Sequence, residues 1–473
     1  MFQSDTIAAI ATAMSNAGIG IIRISGPDAI AVADAVFRGK RRLSEMESHS
    51  ISYGYIVDPD VKDPLTSKPR RMDEVLVSVF RAPRTYTRED VVEINCHGGI
   101  LMLQEILRLI FKKGARPAEA GEFTKRAFLN GRIDLAQAEA VMDLIRAEND
   151  LSARNSLEQL SGALSYRIRE MRQKLLYEIA FIEAALDDPE HYDLDGYATE
   201  LKGKLEDLSA GLEELLASSR EGAYLKEGIV TAIVGRPNAG KSSLLNALAG
   251  RDRAIVTDIP GTTRDTLEEK VRLGHVTLNL VDTAGIRESD DQIEQIGVQR
   301  AFSSMREADL ILCVMDASRP MDREDRDLLR ELPSSTDLGH CIILLNKMDL
   351  DPVLTREEVR EVLPEMAEDR ILSASALREE GLDLLSDRIE KMFFRGQIQE
   401  NGQVFITNAR HKYALDQARA SLRLVIDGID RQMTEDLLTV DLMNCYEALG
   451  KITGETLEDD LADEIFSKFC MGK

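Results

Sequence analysis

Residues 235–242 read GRPNAGKS and fit the pattern G-x-x-x-x-G-K-[ST], with Gly235, Gly240, Lys241 and Ser242 in the fixed places. An apolar run, IVTAIV (229–234), precedes the pattern, and a helical one, SLLNALAG, comes after it. Strand, loop and helix in that order require an α/β sheet with a phosphate-binding loop at its edge. The glycines let backbone N–H groups turn inward around phosphate oxygens, and the helix N-terminus adds partial positive charge. Lys241 would reach the outer phosphates and Ser242 would ligate magnesium, with Asn238, Ala239 and Ser243 completing the cradle. The plain alternative, a Gly-rich turn, does not account for the motifs found further along the chain.

Three more segments come in a fixed order. DTAG (282–285) begins 41 residues after Lys241 and ends the apolar strand VTLNLVD. Asp282 would hold magnesium through water, the Gly285 N–H would sense the γ-phosphate, and Thr283 and Ala284 lie between them. NKMD (Asn346, Lys347, Met348, Asp349) comes after a second apolar strand, CIILL. The Asp349 carboxylate accepts two hydrogen bonds from a guanine edge. Adenine offers no such donor pair, and a site built on hydrogen bonds rejects the ligand that lacks them. Lys347 would lie over the base and Asn346 would brace the loops. SAL (Ser375, Ala376, Leu377) fits the last guanine-contacting loop, where backbone N–H meets the base oxygen. Each segment alone is weak; four in order point to GTP. The loop DRAIVTDIPGTTRD (252–265) lies between the phosphate loop and DTAG, where a nucleotide switch belongs. Within it Thr263 is the natural second magnesium ligand, and Asp258, Pro260 and Gly261 line the same stretch.

Regulatory GTPases commonly place Gln after DTAG to orient the attacking water. This chain has Ile286, which neither donates nor accepts, so the water must be oriented from elsewhere. Glu288, Asp290, Asp291 and Glu294 are candidates, each also readable as a solvated acid at a helix start. An arginine finger supplies roughly 10³–10⁵ in rate. Arg236, Arg264 and Arg287 are near the motifs, but each also reads as a solvated residue. A bound monovalent cation, with the Asn238 side-chain oxygen as one ligand, would bring the same charge.

GIGIIRISG near the start, HGG (97–99), GEFTKRAFLNGRIDLAQAEA (121–140), GRPNAGKSSLLNALAG, DIPGTTRD, DTAGIRES, NKMD and the terminal FCMGK together resemble the MnmE (TrmE) family of tRNA-modification GTPases, over essentially the whole chain. The resemblance implies a potassium-dependent GTPase whose nucleotide-binding domains dimerise across the nucleotide. Asn238, Thr257, Ile259 and Thr262 match its potassium site, Ser242 and Thr263 its magnesium ligands, and Glu294 the catalytic glutamate that positions water. It also implies a 5-formyltetrahydrofolate site in the N-terminal domain, matched by Arg23, Glu93, Arg132 and Lys473. Arg132 stands where one family form carries Lys; the charge is kept and the contact geometry changes. The chemistry suits a pterin with a glutamate tail, a carboxylate for the ring N–H edge and cations for the tail. With an FAD-containing partner, MnmG (GidA), the family installs a carboxymethylaminomethyl or aminomethyl group at C5 of the wobble uridine of certain tRNAs. The family's terminal Cys matches Cys470, which reads equally as a reactive or as an inert thiol.

At 473 residues the chain is long enough for about three domains. Residues 1–118 read as α+β, with strands GIGIIRIS, SISYGYIV, EVLVSVF and VVEINC and an amphipathic helix ILMLQEILRLIFKKG closed by Gly114. Residues 119–222 and 395–473 read as all-α, with SLEQLSGALSYRIREMRQKLLYEIAFIEAAL as one helical stretch and DDPEHYDLDGY (187–197) as a solvated break. A terminal segment of roughly 70 helical residues makes a poor core alone. The expected architecture is therefore multidomain: an N-terminal α+β folate-binding and dimerisation domain, and a discontinuous helical domain carrying an inserted α/β P-loop GTPase domain of Ras type (223–394). Movement of such an insert pushes on the helices that carry it.

The N-terminus lacks the basic flank and long apolar stretch of an export signal, and no apolar run approaches a membrane span. Five scattered cysteines without C-x-x-C suit a reducing cytoplasm and argue against structural zinc. The formal net charge of −24 is awkward for an RNA enzyme, because phosphate binding needs a basic footprint. KKGARP (112–117) and KRAFLNGR (125–132) are the modest basic clusters before the GTPase domain, so a partner is expected to carry most of the tRNA contact. Two other readings fit the GTPase motifs: a ribosome assembly factor, disfavoured by the acidic surplus, and a non-catalytic GTP-gated scaffold, permitted by Ile286.

Overall fold

A computed structural model describes residues 5–192, 194, 196–251, 269–281, 306, 308–335, 337–394, 404–455, 464–467, 469 and 472. The chain divides into two compact units, residues 1–142 with 450–473, and residues 143–449.

The first unit contains β1 (Ile7–Ile10), β2 (Ala17–Ser25), α1 (Ala29–Val36), β3 (Phe37–Gly39), β4 (Ser50–Lys62), β5 (Pro69–Phe80), β6 (Val91–Gly98), α2 (Ile100–Lys112), β7 (Arg116–Pro117), α3 (Glu122–Leu129) and most of α4 (Leu135–Ile145). Its seven strands form one mixed sheet in the order β3-β4-β5-β6-β2-β1-β7. Val75, Val77 and Val79 alternate along β5 toward α1 and α2, whose Ala33, Val36, Ile106 and Ile110 complete the same core. The alternation is what a sheet with one covered face requires. The unit extends past the boundary expected at residue 118. Phe123 is fully buried with Ile7, Ala9 and Ala118, and Arg126 pairs with Asp5, so α3 packs with this sheet. Phe466 and Phe469, near the C-terminus, pack with Leu135, Ala138 and Met142 of α4.

The second unit joins the helices to the nucleotide-binding sheet. It contains α5 (Asp150–Leu160), α6 (Ala163–Asp187), α7 (Tyr197–Glu227), β8 (Ile229–Val234), α8 (Lys241–Arg251), β9 (Glu269–Leu273), β10 (Val276–Val281), β11 (Leu310–Asp316), α9 (Arg323–Ser335), β12 (Cys341–Asn346), α10 (Arg356–Val362), β13 (Ile371–Ser373), α11 (Leu382–Phe393), α12 (Ala409–Asp430) and most of α13 (Glu435–Thr453). The sheet order is β13-β12-β11-β8-β10-β9, parallel except for β9. Strands β8, β11 and β12 are almost wholly buried, as central parallel strands covered on both faces must be. The helical stretch expected across 156–186 is two helices: Gly162, at φ 96°, turns the chain between α5 and α6. Helices α7 and α12 pack along one another.

Among the described residues no helix is long and apolar enough to cross a membrane.

Candidate functional site

Strands β8, β11, β12 and β13 end at one edge of the second sheet, and the loops leaving them meet there. Ligands of open α/β sheets bind at this carboxyl edge. The phosphate loop leaves β8 through two glycines whose conformations only glycine tolerates. Gly235 has φ 152° and Gly240 φ 97°. A Cβ at Gly235 would strike the Val314 carbonyl, and one at Gly240 would strike the Asn346 side chain. Asn238, exposed at the loop crest, is held in the left-handed region at φ 62°. Helix α8 starts at Lys241, so the exposed Ser242 and Ser243 sit in its first turn, at the N-terminal end of the helix.

The Lys241 ammonium donates to the carbonyls of Gly235 (2.7 Å) and Arg236 (2.8 Å). Burial pulls its pKa below the ordinary lysine value, and among the described residues no carboxylate offsets that burial. A desolvated cation inside a loop of inward N–H groups is built to receive anionic oxygen. Ser242 and Asn238, expected from the sequence as magnesium and potassium ligands, flank this cradle; among the described residues no cluster of His, Cys, Asp and Glu could hold a metal ion.

The segments expected to read guanine meet the same edge. Asn346 is buried at the end of β12. Its Nδ2 donates to the Ala239 carbonyl at 3.0 Å, and its Oδ1 accepts from the Ala376 N–H at 2.9 Å. Asp349 accepts from the Ser375 hydroxyl at 2.6 Å, and that hydrogen bond is the main cause holding its carboxyl below the usual range. Ala376 is buried with Ser375, whereas the Leu377 side chain is 79% exposed. The Met348 N–H donates to the Ala374 carbonyl, which seats the NKMD turn on the loop after β13.

Lys347 occupies a left-handed turn at φ 67° and reaches Asp316, the last residue of β11, at 2.6 Å. Burial alone would raise the Asp316 pKa, but hydrogen bonds from Lys347 and Ser318 hold it below the carboxylate norm. Asp316 escaped the sequence reading, although a carboxylate ending a fully apolar strand was the signal for it. Arg236 pairs with Asp322 and Glu324, so it is engaged with the segment after β11 rather than free to serve as a finger.

Thr257, Asp258, Ile259, Pro260, Gly261, Thr262, Thr263, Asp282, Thr283, Ala284, Gly285, Ile286, Glu288, Asp290, Asp291 and Glu294 lie outside the described residues, as do Arg264, Arg287, Cys470 and Lys473.

A second site forms in the first unit. Arg23 on β2 faces Glu93 on β6 in register, and its guanidinium contacts that carboxylate at 2.8 and 2.9 Å. It also donates to the Gly472 carbonyl at 3.1 Å, next to the terminal Lys473. Arg132 donates to the Tyr86 carbonyl at 2.8 Å and lies 4.8 Å from the centre of its ring. Arg23 lies against the same aromatic group, 5.4 Å from the Tyr86 centre and 5.7 Å from that of Phe123. Glu93, Arg132 and Tyr86 line an open cavity of about 480 Å³. Three residues spread over about 110 positions are thus brought together, with Tyr86 as a member that sequence reasoning missed.

The basic clusters behave differently. Lys113 pairs with Asp60, Arg116 with Asp5 and Glu122, and Arg126 with Asp5, Glu89 and Glu122. The charge of these three residues is neutralised inside the unit.

Known proteins share this arrangement of segments. The family model for the GTP-binding protein TrmE N-terminus matches residues 6–132, and that for the MnmE helical domain matches residues 135–470. The chain is 50% identical over 474 residues to the tRNA modification GTPase MnmE of Lachnoclostridium phytofermentans, covering all of both chains. It is 49% identical to that of Lactiplantibacillus plantarum, covering 100% of this chain and 99% of the relative, and 48% identical, with the same coverage, to that of Enterococcus faecalis. Matches of this extent, together with a phosphate loop and an NKMD turn joined through Asn346, establish that the chain belongs to the MnmE family.

Proposed function

We propose that this chain hydrolyses GTP and uses the cycle in tRNA modification, installing a carboxymethylaminomethyl or aminomethyl group at C5 of the wobble uridine together with the FAD-dependent MnmG (GidA). The observation that carries the GTPase reading is the link from Asn346 to both Ala239 and Ala376, which makes one rigid edge of the phosphate-binding and guanine-reading loops. Lys241 and the first turn of α8 bind the phosphates, Ser242 and Thr263 hold magnesium, and Asp349 selects guanine. Asn238, Thr257, Ile259 and Thr262 hold potassium, and bound potassium supplies the positive charge that a finger arginine gives elsewhere. Glu294 orients the attacking water in place of the absent Gln.

Arg23, Glu93, Arg132 and Lys473 bind 5-formyltetrahydrofolate as the one-carbon source. The clustering of Arg23, Glu93 and Arg132 around Tyr86 supports this reading. The chain acts as a homodimer in the cytoplasm and forms a heterotetramer with MnmG. Internal neutralisation of Lys113, Arg116 and Arg126 supports a partner that supplies most of the tRNA contact. Insertion of residues 223–394 between the helices of 119–222 and 395–473 gives the nucleotide cycle a mechanical output.

Three measurements test the proposal. Phosphate release should be many-fold faster in potassium than in sodium buffer; equal rates would remove the cation assignment. Glu294→Ala should abolish turnover while nucleotide still binds. Mass spectrometry of tRNA nucleosides from cells lacking the chain should show unmodified wobble uridine; a normal profile would sink the tRNA role.

A further inference from the structure

The cavity beside Tyr86 carries more positive charge than a single glutamate requires. Arg84 and Arg88 line it together with Arg132, and all three are exposed. Among the described residues none of the three has a carboxylate partner, although the chain as a whole carries a net charge of −24. Glu93, the acid in the lining, is already matched by Arg23. Arg88 is held in the left-handed region at φ 60°, which an L side chain rarely adopts. Its guanidinium donates to the Asn130 carbonyl at 2.8 Å, while the Asn130 side chain donates to the Thr87 carbonyl at 2.6 Å. These two bonds pin the loop that carries Arg84 and Arg88 to the end of α3, two residues before Arg132.

The charges are therefore sorted by depth. Arg23, its side chain 16% exposed, is paired with Glu93 and faces Tyr86 and Phe123, where a flat ring with an N–H edge is recognised. Arg84 and Arg88 stand at the mouth. An uncompensated arginine pair there suits successive carboxylates, because each guanidinium presents a planar fork matching a carboxylate.

We propose that Arg84 and Arg88 form a subsite for the γ-glutamyl tail of a polyglutamylated folate, each taking an α-carboxylate beyond the first glutamate. The proposal rests on the folate reading of this cavity and specifies which form of that ligand the site prefers.

Calorimetric titration of the full-length protein with 5-formyltetrahydrofolate as the monoglutamate and as the triglutamate tests it. The triglutamate should bind about ten-fold tighter at low salt, since two exposed charge contacts each contribute a few-fold. The advantage should shrink as salt is raised. In the double variant Arg84→Ala/Arg88→Ala the triglutamate should fall to the affinity of the monoglutamate, which itself changes less than about two-fold. The double variant Arg84→Lys/Arg88→Lys keeps the charge and loses the fork, so it should keep part of the advantage, which a misfolded loop would not. Equal binding of the two forms by the unaltered protein, or an advantage that survives the double alanine change, overturns the subsite and leaves the folate reading standing. Failure of both forms to bind overturns both.

Discussion

The Asn346 side chain donates to the Ala239 carbonyl across 107 positions of sequence, and its oxygen simultaneously accepts from Ala376. Asn346→Ala strands a buried N–H and a buried carbonyl, at about 1–3 kcal/mol for a stranded group. Urea denaturation should show a loss of about 2–3 kcal/mol, and calorimetry should show GDP binding weakened at least about ten-fold. Unchanged GDP affinity would mean the two loops hold their places without this bridge.

Asp316 gives a pH signature. Its pKa in the folded chain lies below the ordinary carboxylate value because Lys347 and Ser318 donate to it against the effect of burial. A depressed folded pKa contributes stability above the unfolded value, about pH 4, that is lost as pH falls through it. Asp316→Asn should therefore be less stable than the unaltered chain at pH 7, with the gap narrowing as pH falls below about 4. A gap constant with pH would assign the effect to packing.

Arg126 holds Asp5, Glu89 and Glu122 together in the first unit, where it and Glu122 are nearly buried. Removing one partner of a buried ionic group leaves uncompensated charge, worth about 3–5 kcal/mol. Arg126→Met should lose that much at neutral pH and less in acid, where Asp5 and Glu122, both held below the usual range, take up protons. Chemical denaturation at two pH values reads the difference.

Gly222 on α7 is a case where two opposing effects can be ranked. Alanine is favoured over glycine inside a helix by about 1 kcal/mol. Here a Cβ would strike the Ile406 carbonyl. That segment cannot step aside: Phe405 is bound by Asn155 and Gln159, and the Ile406 N–H donates to Ser218. Overpacking against a fixed backbone costs about 1–3 kcal/mol, so Gly222→Ala should lower the melting temperature. A raised one would show the return segment to be yielding.

Cys96, Cys313, Cys341 and Cys445 are buried. Burial is the first cause raising each thiol, to about 12 for Cys96, Cys341 and Cys445 and well above the norm for Cys313. None carries appreciable thiolate at pH 8. A native thiol titration at that pH should register at most one fast group, Cys470, and all five of the chain's cysteines after unfolding. Fast reaction of two or more would contradict the burial.

The nucleotide edge was legible because its chemistry is local. A phosphate loop needs glycines at set intervals beside a lysine, and a guanine reader needs a carboxylate just after a strand, so spacing alone announces both. The long amphipathic helices were legible for the same reason, although Gly162 divides a run whose hydrophobic period continues across it. Strand β1 and helix α1 are too short for their period to stand out. The cavity around Tyr86 is a different case: Arg23 and Glu93 meet because β2 and β6 are paired in register, and no local pattern records which strands become neighbours.

What the order of residues determined by itself is therefore whatever depends on neighbours within a turn or two: the phosphate loop, the choice of guanine and the amphipathic faces. Tertiary structure decided which charges remain available. KRAFLNGR reads as a basic cluster, yet its Arg126 is spent on Glu122 one helical turn away and on Asp5 and Glu89 brought from other parts of the chain, while Arg84, Arg88 and Arg132 face a common cavity with no carboxylate partner of their own among the described residues. A charge acts through the groups within a few ångströms of it, and folding alone sets those distances.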